Sequence, residues 1–225
     1  MNRFSKIAFA FIALFALAVV PASAQTCGDT TWVLRAGQTI EVGTVTVSND
    51  ANNLYVNYTM DYDPNMDGVV DGYFGTLHMW AGNDLSLLPR APGSGNPSPG
   101  QYCQVNPDFC YTPADTTTTS HTFAIPLADI GIVNVFDACG ANLFVVTHAE
   151  ANIDSDGDGI YEDETAFGGD QDGDGPRWWY YGSYTICCDF GPPSIDFCET
   201  AYAKGGWVWT TGRRSNPERL PSLEL

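Results

Sequence analysis

Residues 39–60 read TIEVGTVTVSNDANNLYVNYTM. Apolar Ile40, Val42, Val45 and Val47 alternate with polar residues, and Gly43 shifts the phase by one position, the mark of a bulge. After the turn-forming cluster Asn49-Asp50-Ala51-Asn52-Asn53, the alternation resumes at Leu54, Val56, Tyr58 and Met60. Two strands, each with one apolar face, joined by a tight turn, predict an antiparallel hairpin. The same chemistry recurs outward along the chain at 73–81, 121–126, 143–149 and 178–187. Beyond the N-terminal segment nothing keeps a helical period for more than one or two turns. The expected fold is all-β: an antiparallel β-sandwich, Ig-like or jelly-roll-like, over residues 25–190. Residues 89–119, rich in Pro, Gly, Ser and Thr, read as a long loop, and Gly191-Pro192-Pro193 as a boundary before a C-terminal extension, 191–225.

Residues 1–24 carry Arg3 and Lys6, an apolar run over 7–20 and the small-residue site Ala22-Ser23-Ala24. That order predicts a secretory signal peptide. The run is shorter than the roughly 20 apolar residues of a membrane span, so no integral span is expected. Cys27 follows Gln25-Thr26, which is not the usual context of a lipidated cysteine. Cleavage would leave 201 of the 225 residues and move the net charge from −18 to −20. Such a chain disfavours nucleic acid and anionic membranes and attracts divalent cations. An aromatic content of 13% separates it from acidic chains that stay unfolded. The expected location is secreted, extracellular or at the cell surface.

All seven cysteines, Cys27, Cys103, Cys110, Cys139, Cys187, Cys188 and Cys198, follow the cleavage site, so disulfides are the default. Cys103 and Cys110 bracket a short Pro-containing loop and are the best-matched pair. Adjacent Cys187 and Cys188 would point to opposite faces of a strand and take different partners. No thiol-protease signature surrounds any of them.

Ten acidic side chains and no Lys or Arg lie from Glu150 to Asp174. At an effective dielectric near 20, two carboxylates about 4 Å apart repel by roughly 4 kcal/mol. Such a stretch either stays extended in water or is closed by a cation, and its spacing favours the cation. Asp154, Asp156 and Asp158 precede Gly159 and Ile160; Asp170, Asp172 and Asp174 precede Gly175; Asp63, Asn65 and Asp67 precede Gly68, Val69 and Asp71. Each matches the first half of a D-x-[DN]-x-D-G calcium loop. Oxygens at positions 1, 3 and 5 converge as the backbone curls, Gly at 6 permits the turn, the carbonyl of 7 adds a ligand, and position 9 contributes directly or through water. The bidentate Glu that an EF-hand places at position 12 is missing: Thr165, Phe74 and Tyr181 stand there. These are therefore short Asp-rich loops of the kind seen in secreted repeat and matrix proteins. A neighbour would complete each shell: Glu162, Asp163 or Glu164 for the Asp154 loop, and Asp61 for the Asp63 loop. The expected cofactor is Ca2+, with a structural role.

Other constellations are weaker. His78 and His148 would form a zinc site with Glu150 only if adjacent in the fold; subsurface imidazoles are the plainer reading. Trp178-Trp179-Tyr180-Tyr181, with Trp207 and Trp209, offer stacking faces for a glycan. No G-x-S-x-G surrounds a serine, and the clustered carboxylates have ligand spacing rather than that of a glycosidase pair. No catalytic residue is assigned. Asn57-Tyr58-Thr59 is a formal glycosylation sequon. Arg213, Arg214 and Arg219 balance charge near the C-terminus, and the strand-like segment 207–211 would suit pairing with a second copy or another surface protein.

Several phrases together, AGQTIEVGTVTVSNDANNLYVNYT (36–59), LHMWAGNDLSLLP (77–89), SGNPSPGQY (94–102), HTFAIPLADIG (121–131), LFVVTHAEA (143–151) and CETAYAKG (198–205), resemble a recurrent, mostly uncharacterised domain of secreted and surface proteins of bacteria and archaea. The resemblance implies a β-sandwich module of a modular exported protein, here in a short or truncated member, and supplies no catalytic residue. The expectation is an exported, calcium-stabilised structural or adhesive protein with disulfide-stapled loops. A carbohydrate-binding module or polysaccharide hydrolase is the alternative.

Overall fold

A computed structural model describes residues 26–190. The predicted hairpin is its centre. Strands β2 (Ile40–Asn49) and β3 (Asn53–Met60) pair antiparallel from Gly43 opposite Met60 to Asn49 opposite Leu54. The turn closes on Asp50, which is nearly fully buried. Its Oδ1 accepts the Asn52 and Asn53 amides at 2.7 Å each, and its Oδ2 accepts the Tyr55 hydroxyl at 2.7 Å. The bulge expected at Gly43 appears as a register shift between β2 and β1 (Cys27–Ala36): Leu34 faces Gly43, but Arg35 faces Glu41. A Cβ at Gly43 would run into the Thr59 carbonyl.

The remaining strands are β4 (Gly72–Gly82), β5 (Cys110–Tyr111), β6 (Ser120–Pro126), β7 (Asn142–Ile153), β8 (Glu162–Gly168), β9 (Gln171–Asp172) and β10 (Tyr180–Thr185). They pair in the order β5-β4-β7-β8-β1-β2-β3-β6, with β10 beside β7 and β9. The antiparallel all-β class expected from the periodicity is therefore seen. The two separate sheets of a sandwich are not: one hydrogen-bonded path curls into a half-barrel, because β8 bridges β7 and β1. A Cβ on Gly168 would lie 2.8 Å from the Thr147 hydroxyl and 2.9 Å from Val45, so glycine permits the close packing at this strand end.

The halves of the sheet face each other across a core that includes Leu34, Val45, Val56, Tyr58, Phe74, Leu77, Val145 and Tyr184. Tyr58 spans it, meeting Phe74 edge-on at 6.1 Å and donating its hydroxyl to the His78 carbonyl at 2.8 Å. Segment 89–119 is more ordered than a loop. A helical turn at Tyr102–Val105 buries Tyr102, Phe109 is buried beside it, and Tyr111 stacks on His121 of β6 at 3.6 Å. The two ends of the sheet path are thus brought together.

Disulfides join Cys27 to Cys187, Cys103 to Cys110 and Cys139 to Cys188. The short pair is the expected one, and the adjacent cysteines do take different partners. Among the described residues no helix is long and apolar enough to cross a membrane. The signal segment 1–24, Cys198 and the extension 191–225, with the pairing strand at 207–211, lie outside the described residues.

Candidate metal centre at the paired aspartate loops

Two of the three acidic motifs fold alike. In the β3–β4 connection, Asp63 Oδ1 accepts the Asp67 amide (3.1 Å) and Oδ2 the Gly68 amide (2.9 Å); Asn65 Oδ1 also accepts the Asp67 amide (2.9 Å), and Asp67 Oδ1 the Val69 amide (2.8 Å). In the β7–β8 connection the same four bonds recur. Asp154 accepts the Asp158 and Gly159 amides (3.1 and 2.9 Å), Asp156 the Asp158 amide (3.3 Å), and Asp158 the Ile160 amide (2.8 Å). Gly68 and Gly159 take φ of +84° and +83°, the left-handed turn that position 6 requires. The carboxylates of Asp154, Asp156 and Asp158 all lie within 4.8 Å of one another.

The acid at position 9 turns back towards its own loop in both, though onto different groups. Asp71 Oδ2 reaches back to the Asn65 side-chain amide (3.3 Å), and Glu162 Oε2 to the Ser155 amide and hydroxyl (both 3.3 Å). Val69 and Ile160, at position 7 of the two loops, are both exposed. The Asp154 loop thus gathers three carboxylates, hard oxygen donors, whereas the acids of the Asp63 loop are not drawn together as closely.

The sheet brings the two loops together. Gly72, first in β4, pairs with Ile153, last in β7, and the Asp154 amide donates to the Asp71 carbonyl at 3.2 Å. Tyr73 and Tyr161 rings meet at 5.4 Å. Slight desolvation, then the charges of Asp67, Asp63 and Asp154, push the Asp71 carboxyl above its usual range. Burial, then the charges of Asp154, Asp71 and Glu162, raise the Tyr62 phenol. Charges from both loops thus act on the same groups.

Other predicted ligands fall elsewhere. Asp163 sits one residue from Glu162 in β8, on the opposite face of the strand. The third motif does not curl. Asp172 pairs with Tyr180 in the β9–β10 hairpin, and the Asp170 amide donates to the Tyr181 carbonyl at 3.2 Å. The Asp174 carboxylate binds Arg90 at 3.0 Å. Arg90 also lies over the Trp179 ring, 5.2 Å from its centroid. Pro176 and Trp178, where positions 7 and 9 would fall, close a hairpin instead.

His78 and His148 are register partners in β4 and β7, with Nδ1 atoms 3.2 Å apart. Burial, with the His78 ring beside it, lowers the His148 pKa to about 3; burial lowers His78 too, against the opposing charge of Glu150. Glu150, the third expected zinc ligand, accepts the Thr76 amide with its carboxylate at 2.9 Å. The sulfurs near His78, of Cys103 and Cys110, are joined in a disulfide. Among the described residues the two imidazoles, in hydrogen-bond contact with each other, lack the ligand count of a zinc site.

A cleft of about 880 Å³ lies beside His148, Phe167 and Trp178, with Gln38, Asn96 and Thr165 in its wall. The aromatic run at 178–181 was its one sequence signal. Gln38, Asn96 and Thr165 come from three distant segments and carried none.

No family model matches the chain, and no curated protein or solved structure matches it at a significant level.

Proposed function

We propose that this chain is an exported, calcium-stabilised structural or adhesive protein of the cell surface or extracellular matrix. Ca2+ closes the Asp63–Asp71 and Asp154–Glu162 loops in this reading. The observation that carries it is the repetition of four hydrogen bonds and a returning acid at position 9 in two loops that the β4–β7 pairing sets side by side. Their common D-x-[DN]-x-D-G spacing gives both loops the same curl, and the strand pairing concentrates their carboxylates at one end of the sheet. Without an ion their carboxylates repel; with one, each connection becomes a rigid bridge at the end of the β4–β7–β8 sheet. The signal segment, the three disulfides and the strongly negative charge support export.

The test is thermal melting of the mature protein against Ca2+, with Mg2+ as control. At 100 times Kd, one site adds about 2.7 kcal/mol, a rise of roughly 5–10 °C for a domain of this size. Chelation should return the lower melting temperature and open both loops to protease. Equal melting temperatures and equal cleavage with and without chelator would end the calcium reading.

A further inference from the structure

The cleft beside Trp178 differs from the rest of the surface in its charge. The chain carries 27 Asp and Glu residues, yet none is among the described residues that line this concavity. Its volume of about 880 Å³ falls within the range of roughly 300–1,000 Å³ usual for small-molecule sites. One wall is aromatic: His148, Phe167 and Trp178 follow one another at centroid distances of 5.1 and 5.5 Å. Trp178 is half-buried and meets Phe167 at 87° and Tyr180 at 53°, so neither ring lies flat over the indole.

Neutral polar groups stand around it. Gln38 and Thr165 are exposed, and their side chains have no hydrogen-bond partner among the described residues. Asn96 is nearly buried; its Oδ1 accepts the Arg177 amide at 3.2 Å, and its Nδ2 has no such partner. Arg177 at the rim adds donors without forming a basic patch. An accessible indole ringed by amides and a hydroxyl fits a ligand with apolar C–H faces and many hydroxyl groups. A net charge of −18 works against a polyanion approaching this surface.

We propose that the cleft binds a neutral saccharide, with a sugar ring lying on Trp178 and its hydroxyls bonding to Gln38, Asn96 and Thr165. The site uses none of the carboxylates of the aspartate loops, so it stands or falls apart from the calcium reading.

The test is an array of neutral and uronate-containing oligosaccharides probed with the full exported chain in calcium, followed by calorimetry with a retained oligosaccharide. Wild type is compared with Trp178→Ala, Trp178→Phe and Asn96→Ala, each checked for folding by circular dichroism. The expected result is binding of a neutral oligosaccharide, weakened about tenfold or more by Trp178→Ala and less by Trp178→Phe. The Phe and Asn96→Ala variants carry the test if the Ala variant does not fold. Retention of no neutral sugar, preference for uronates or for a Pro-rich peptide, or affinity unchanged across the folded variants would overturn it.

Discussion

Asp50 shows how much one side chain carries in this fold. It is buried at the tip of the central hairpin and accepts two amides and a hydroxyl. Burial pushes its carboxyl up, but the Asn52 amide, the Tyr55 hydroxyl and the Asn53 amide outweigh it, and the net shift is downward. A carboxyl held low in the folded state contributes stability above its unfolded pKa, and that contribution fades as pH falls through the folded value. Asp50→Ala leaves those three donors without their acceptor. We expect a loss of about 3 kcal/mol at pH 7, read from denaturant unfolding. A loss below about 0.5 kcal/mol would show that the turn holds without it. The residue was legible as part of a turn cluster. Its burial was not, because Asp in a turn is ordinarily solvated.

At the scale of elements, the β4–β7 pair organises two features of the fold. Its open end sets the two aspartate loops side by side, and its middle places His148 opposite His78. His148, with a folded pKa of about 3 against the ordinary value near 6.5, resists a proton that the unfolded chain accepts. Its contribution to stability is whole above pH 6.5 and is lost as pH falls from there towards 3, by at most about 1.4 kcal/mol per pH unit. Unfolding measured at pH 7 and pH 5 in saturating calcium should therefore differ by up to about 2 kcal/mol from this residue, and His148→Gln should flatten that difference. An unchanged pH dependence would mean that the imidazole titrates freely in the folded protein. Strand β8 teaches the opposite lesson about sequence. EDETAFG has no apolar alternation over its first four residues, and it forms because β7 offers one edge to it and β1 the other.

For the whole molecule, chain closure competes with charge. Among the described residues two ion pairs, Arg35–Glu41 and Arg90–Asp174, leave most of the acidic side chains unpaired in a chain of net charge −18. Disulfides oppose the resulting self-repulsion by limiting the unfolded chain. Cys27–Cys187 closes a separation of 160 residues and Cys139–Cys188 one of 49, worth about 5 and 4 kcal/mol by loop entropy, against about 2 for Cys103–Cys110 at a separation of 7. Replacing both cysteines of a pair by serine should rank the losses in that order in denaturant melts. A larger loss for Cys103–Cys110 would show that it acts by holding Tyr102 and Phe109 in the core rather than through chain entropy.

Local chemistry was enough for the β class, the central hairpin with its bulge, the short disulfide and the curled form of two aspartate loops. Each depends on residues within about twenty positions of one another, where backbone geometry and side-chain period act directly. Folding in three dimensions was needed to join the strands into one curled sheet rather than two, to flatten the third acidic motif into a hairpin and tie Asp174 to Arg90, to bring the two loops to one end, and to assemble a carboxylate-free cleft from Gln38, Asn96, Thr165 and Trp178. Those outcomes depend on which strand edges find partners and on which distant side chains meet, and no short-range pattern encodes either.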